Sequence, residues 1–137
     1  MKTLKDVIIT KEYLHNWNVY QEHFEFFVKT FGDKADLETI LKKCEDKEWK
    51  AWLLYITARH IPNERYTPEI IEELIKTNEA YYLCIAAINL SNKRYTPKLL
   101  EALLETGNMD YICEAALCLS DDRIKDLEAL QEKLQRN

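Results

Sequence analysis

Arg65-Tyr66-Thr67-Pro68 returns as Arg94-Tyr95-Thr96-Pro97, and the offset of 29 residues then holds without a gap. Glu72, Leu74, Thr77, Tyr82, Cys84, Ala86, Ala87, Leu90 and Ser91 return as Glu101, Leu103, Thr106, Tyr111, Cys113, Ala115, Ala116, Leu119 and Ser120. The four matches of the opening run and these nine make 13 identities at one offset. A fixed period of roughly 20–50 residues marks a scaffold whose units bury their apolar faces only by stacking on one another. That restricts the chain to repeat architectures before any single element is assigned.

The period extends backwards when the register is held. Setting Asp36 against Arg65 places Leu54 opposite Leu83 and Ile112, Ala58 opposite Ala87 and Ala116, and Ile61 opposite Leu90 and Leu119. The expected units are therefore 36–64, 65–93 and 94–122, with a capping helix over 123–137 whose outer face carries Lys125, Glu128 and Glu132. Each unit reads as two helices. Thr67 and Thr96 are the expected N-caps, and Pro68 and Pro97 stand at the first helical position, where a missing N–H is harmless. The first helix ends near Thr77 or Gly107; the second starts at Asn78 or Asn108 and runs to Leu90 or Leu119. Alanine pairs at 86–87 and 115–116 allow close helix approach. The fold class expected is all-α, a short right-handed α-solenoid of helix pairs.

Residues 1–35 form an expected N-terminal aromatic capping region. A polar lead-in with the apolar patch Val7-Ile8-Ile9 reaches Thr10, a candidate N-cap for a helix running to about Phe31. Tyr13, Leu14, Trp17, Tyr20, Phe24, Phe27, Val28 and Phe31 fall three or four apart and give it one wide apolar face. Asn16 and Asn18 weaken its middle, so one helix and two shorter helices both remain open. Gly32 is the expected stop.

Two stretches carry a resemblance. Thr96–Arg123, TPKLLEALLETGNMDYICEAALCLSDDR, resembles the short HEAT-like repeat of phycobilisome lyases: an apolar first helix, a small turn, then a second helix with an Ala-Ala step. The likeness covers 65–134 well and 36–64 loosely, and it implies the fold rather than an activity. In the N-terminal half, Phe24, Phe27, Phe31, Gly32, Ala35, Leu37, Trp49, Trp52, Leu53 and Leu54 are similar to a pattern in small helical proteins of bacteria and phages. Some of those are grouped as immunity proteins, which implies a partner-binding role.

Composition narrows the function classes. A net charge of −5 is the wrong sign for a general nucleic-acid binder. With only 2 Gly and 3 Pro there are too few turn-formers for an all-β fold. No apolar run reaches the ~18–20 residues of a membrane span, and the first ten residues are too polar for a signal peptide. Cys44, Cys84, Cys113 and Cys118 contain no CxxC pair, so no zinc site is expected, and reduced thiols point to the cytoplasm. His15, His23 and His60 lack metal-ligand spacing. There is no GxSxG and no Gly-rich phosphate loop. No cofactor, no metal and no catalysis are expected.

The candidate site is a surface. With Leu83, Ala86, Ala87 and Leu90 buried, positions 81, 85 and 89 lie on the other side of the second helix. Across the units this strip reads Trp52, Ile56, His60; Tyr81, Ile85, Asn89; Asp110, Glu114, Cys118. It passes from apolar-aromatic to acidic, the usual look of a partner site. Trp52, Ile56, Tyr81, Ile85, Asp110 and Glu114 are the expected contact residues. Two arrangements are open, an exposed groove and one in which the N-terminal helix covers Trp52 and Ile56. The ladder Arg65, Arg94 and Arg123 is expected to pair with acidic neighbours such as Asp121 and Asp122. The function expected is a non-catalytic protein-binding scaffold, in its sharpest form an immunity-like or host-defence inhibitor of bacterial or phage origin. The alternatives are a HEAT-like nucleic-acid enzyme resembling a DNA glycosylase, and a self-assembling structural protein whose strip is its own dimer interface.

Overall fold

The computed structural model describes residues 4–136; residues 1–3 of the lead-in and Asn137 of the capping segment lie outside the described residues. Those described are mostly helical, with nine α-helices and one two-stranded sheet among them. They fall into two compact units, Met1–Lys50 and Ala51–Asn137.

In the first unit a 3-10 turn, Leu4–Asp6, precedes β1 (Ile8–Thr10), α1 (Lys11–Asn16), α2 (Gln21–Phe31), β2 (Lys34–Asp36) and α3 (Leu37–Lys43). Ile8 and Ile9 of the apolar patch thus enter a short strand with Thr10, inside a fold that is mostly helical as an all-α chain should be. The strand pairs antiparallel with β2, Ile8 opposite Asp36, Ile9 opposite Ala35 and Thr10 opposite Lys34. Val7 and Ile9 are buried while Ile8 is exposed, the alternation a strand imposes. Three residues are too few for that alternation to register in the sequence.

The aromatic region comes as two helices. Asn18 sits between them at φ 54°, in the left-handed region that asparagine tolerates better than most residues. Thr10 caps α1 by accepting from Tyr13 N at 3.0 Å, and Gly32 ends α2 at φ 79°, where a side chain would be strained. Phe27, Leu14, Leu37 and Ile40 are fully buried. The rings of Phe26 and Phe31 lie 5.0 and 6.5 Å from Trp49.

Asp36 closes β2 and caps α3, accepting from Thr39 N at 2.9 Å and Thr39 Oγ1 at 2.8 Å. Both bonds favour the ionised form and hold its carboxyl below the usual 3.8. A depressed folded pKa contributes stability that is present above the unfolded value and lost as pH falls through the folded one. Asp36→Asn keeps a capping oxygen but has no proton to gain. Its Tm, followed by circular dichroism, is expected to fall less steeply than that of the wild type from about pH 5 to about pH 2. Parallel profiles would remove Asp36 from the acid response.

Helix α4 (Lys47–His60) crosses the division. From Ala51 onward the second unit holds its remainder, a 3-10 turn at Glu64–Tyr66, α5 (Thr67–Thr77), α6 (Ala80–Asn89), α7 (Lys98–Thr106), α8 (Met109–Cys118) and α9 (Asp121–Arg136). The 29-residue offset recurs in helix ends: α4, α6 and α8 finish at His60, Asn89 and Cys118. Helices α5 and α7 both stop on a left-handed residue, Asn78 at φ 56° and Gly107 at φ 69°. Helix α6 packs against α7 and α8, α5 against α6 and α7, and α9 against α7. Leu74, Leu83, Ala86, Ala87, Leu99, Leu103 and Ala115 are fully buried.

The expected threonine caps are corrected. Asn63 accepts from Arg65 N at 3.2 Å and opens the 3-10 turn, so the chain is already helical when it reaches Thr67. Thr67 is buried and its hydroxyl meets no hydrogen-bond partner. In the second copy Pro97 holds the cap position, and Thr96 Oγ1 accepts from Lys98 N at 3.4 Å.

The arginine ladder is corrected as well. Arg94 donates to Ala58 O at 3.0 Å and Ile61 O at 2.7 Å, at the C-terminal end of α4. Arg123 donates to Ala87 O at 2.8 Å and Leu90 O at 2.5 Å, the same two places on α6. It also reaches Asn92 Oδ1 at 3.1 Å and lies over the Tyr95 ring at 4.1 Å. The last carbonyls of a helix have no intrahelical donor and carry its negative end, so a cationic fork suits them better than a carboxylate does. Arg65 is exposed and lies over its neighbour Tyr66.

Candidate functional site

Helices α6 and α8 run side by side and leave a groove of about 520 Å³ between their outer rows. Tyr81 and Ile85 border it from α6, Asp110 and Glu114 from α8, each pair one helical turn apart. Four of the expected contact residues are therefore brought together. Tyr81 is 46% exposed, Asp110 and Glu114 are exposed, and Ile85 is half-buried.

Trp52 and Ile56 do not line this groove. Trp52 is 4% exposed, so it is corrected from a surface anchor to a core side chain. The reason is how fully α4 is covered. From Ala51 to Ala58 every residue but Ile56 is buried, Thr57 included, and a helix covered on nearly all sides has no outward face to offer.

Cys84, Ile88 and Tyr111 complete the lining. Tyr111 was legible only as a repeat identity with Tyr82, which says nothing of the groove. Its ring meets Tyr81 edge-on at 5.5 Å, and Tyr81 meets Tyr82 the same way at 4.9 Å. Asn89 Nδ2 donates to Tyr55 Oη at 3.2 Å, and the Tyr55 and Tyr82 rings lie 6.4 Å apart. Edge-to-face rings of this kind hold an aromatic wall in a fixed geometry.

The groove is acidic. Two carboxylates and no basic side chain stand among its lining residues. Burial, with the charge of Glu114 adding to it, pushes the Cys84 thiol up to about 11, so the sulfur on its floor stays protonated and a poor nucleophile. Cys118 donates to Glu114 Oε1 at 3.5 Å, and that bond raises its thiol too. His60, half-buried on α4, is held below its usual value by burial and by Arg59 and Arg94. The chemistry available is recognition of an apolar or cationic group.

A second hollow of about 370 Å³ lies between α5 and α7, lined by Glu72, Ile75, Lys76, Lys98, Glu101, Ala102 and Glu105. Its charges are mixed, with Lys98 3.8 Å from Glu72, and it lacks an aromatic anchor. Among the described residues no three His, Cys, Asp or Glu side chains gather to hold a metal ion. None of the described helices is long and apolar enough to cross a membrane.

Comparison with family models, with curated proteins and with solved structures finds no match to this chain.

Proposed function

We propose that the chain is a non-catalytic protein-binding scaffold built from HEAT-like helix pairs, a short right-handed α-solenoid with a 29-residue period. The observation that carries this reading is the α6–α8 groove, whose aromatic wall of Tyr81 and Tyr111 stands beside the carboxylates of Asp110 and Glu114. Tyrosine in a partly desolvated groove is the usual anchor of an interface, and carboxylates at the edge set the polarity of the partner. In its sharpest form the partner is a protein that this chain inhibits, as an immunity-like or host-defence protein of bacterial or phage origin; that form rests on the resemblance of the N-terminal half.

The test is capture by the tagged chain in its native cytoplasm, comparing wild type with Tyr81→Asp and with Asp110→Lys/Glu114→Lys after circular dichroism has shown that all fold. A protein held by wild type and lost by both variants is the expected result. Equal capture by all three removes the groove. A salt-dependent shift of duplex DNA would favour the nucleic-acid enzyme instead, and a concentration-dependent mass abolished by Tyr81→Asp would favour self-assembly.

A further inference from the structure

Helices α6 and α8 hold the same repeat positions, yet one face of them differs sharply in exposure. On α6, Ala80, Cys84 and Ala87 are buried and Ile88 is half-buried, in a helix packed against α7 and α8. The equivalent residues on α8 are Met109, Cys113, Ala116 and Leu117, and all four are exposed. Met109 is 63% and Leu117 83% exposed, high for side chains of their size. Their three-and-four spacing puts them in one stripe. The helix that follows, α9, packs on α7 and leaves these four residues exposed.

Charge selects what could cover it. Asp110 and Glu114 form the next row on α8, bordering the stripe on one side and the groove on the other. Asp121 and Asp122 follow at the start of α9. A second copy stacked on α8 would set such acidic rows against each other. A helix with basic residues flanking its apolar stripe does not meet that repulsion, since its ammonium or guanidinium groups reach the carboxylate row.

We propose that the α8 face formed by Met109, Cys113, Ala116 and Leu117 docks an amphipathic helix of a partner protein. The partner's apolar stripe stacks there as α8 itself stacks on α6, and its lysine or arginine side chains pair with Asp110 and Glu114. This rests on the reading of the chain as a protein-binding scaffold and names the partner's chemistry and a second surface.

The probe is a fluorescent Leu/Lys amphipathic peptide of about 18 residues, long enough to become helical when bound, with a Leu/Glu peptide of the same apolar pattern as control. Anisotropy titrations would use the full chain, Met109→Gln/Leu117→Gln, Asp110→Asn/Glu114→Gln and Tyr81→Ala. These positions are all exposed, so the variants are expected to fold as the wild type does. The expected result is binding of the Leu/Lys peptide alone, weakened at least tenfold by Met109→Gln/Leu117→Gln, weakened by the carboxylate variant, and retained by Tyr81→Ala. Equal affinity for wild type and Met109→Gln/Leu117→Gln would overturn the proposal, as would no binding to wild type. Loss in Tyr81→Ala alone would move the peptide to the groove, sinking this inference and leaving the scaffold reading in place. A wild-type dimer that Met109→Gln/Leu117→Gln converts to monomer would assign the face to a second copy instead.

Discussion

Arg123→Ala is expected to destabilise the 51–137 unit by about 3 kcal/mol, a fall in Tm on the order of 10–20 °C. The guanidinium is held by four acceptors and an aromatic face, and the residue is only 7% exposed. Truncation leaves the carbonyls of Ala87 and Leu90 without their donor where water enters poorly, and the desolvation of those groups is then uncompensated. It also empties the space over Tyr95, whose hydroxyl donates to Asp126 Oδ2 at 2.9 Å. Burial and that bond together push the Tyr95 phenol up, which keeps it a donor across the working pH range.

The ladder makes the prediction a graded one. Arg94→Ala removes two bonds from a half-buried site and is expected to lose less. Arg65→Ala, at an exposed site, is expected to stay within about 0.5 kcal/mol of wild type. Arg123→Lys keeps the charge without the fork and is expected to recover only part of the loss. Urea melts that rank 123 above 94 above 65 would support the capping role. Indistinguishable melts for the three alanine variants would end it.

Ala87→Leu is expected to cost about 3 kcal/mol, whereas Ala116→Leu is expected to be neutral within about 0.5 kcal/mol. The two alanines are repeat equivalents and the substitution is the same. Leucine and alanine differ little in helix propensity, so local preference cannot separate the outcomes. Ala87 is fully buried in α6, and three added carbons have nowhere to go without displacing a packed neighbour. Ala116 is exposed on the apolar face of α8. The pair is read by thermal melts, and a large loss at both positions would show that α8 is covered on that face. That result would also remove the docking surface proposed above.

Much of the helical unit was legible because its signals are local or periodic. The left-handed stops at Asn78 and Gly107 follow from residues that tolerate that backbone, and the ends of α4, α6 and α8 follow the offset. Tyr81, Ile85, Asp110 and Glu114 could be placed on one strip by helical spacing plus that offset alone. The strand at Ile8–Thr10 could not, since a three-residue strand exists only through its partner at Lys34–Asp36.

What the sequence by itself determined is therefore the repeat, the helix pairs and which residues share a face, all consequences of backbone geometry acting over one or two turns. It could not rank equivalent positions against one another. Ala87 and Ala116 are the same residue in the same register, as are Cys84 and Cys113, yet one of each pair is buried and the other exposed. Trp52 and Tyr81 stand at one repeat position, and only the second reaches the surface. Arg65, Arg94 and Arg123 likewise separate into an exposed side chain and two helix caps. Those differences belong to the tertiary structure, because burial depends on which neighbour lies against a face and not on the face itself.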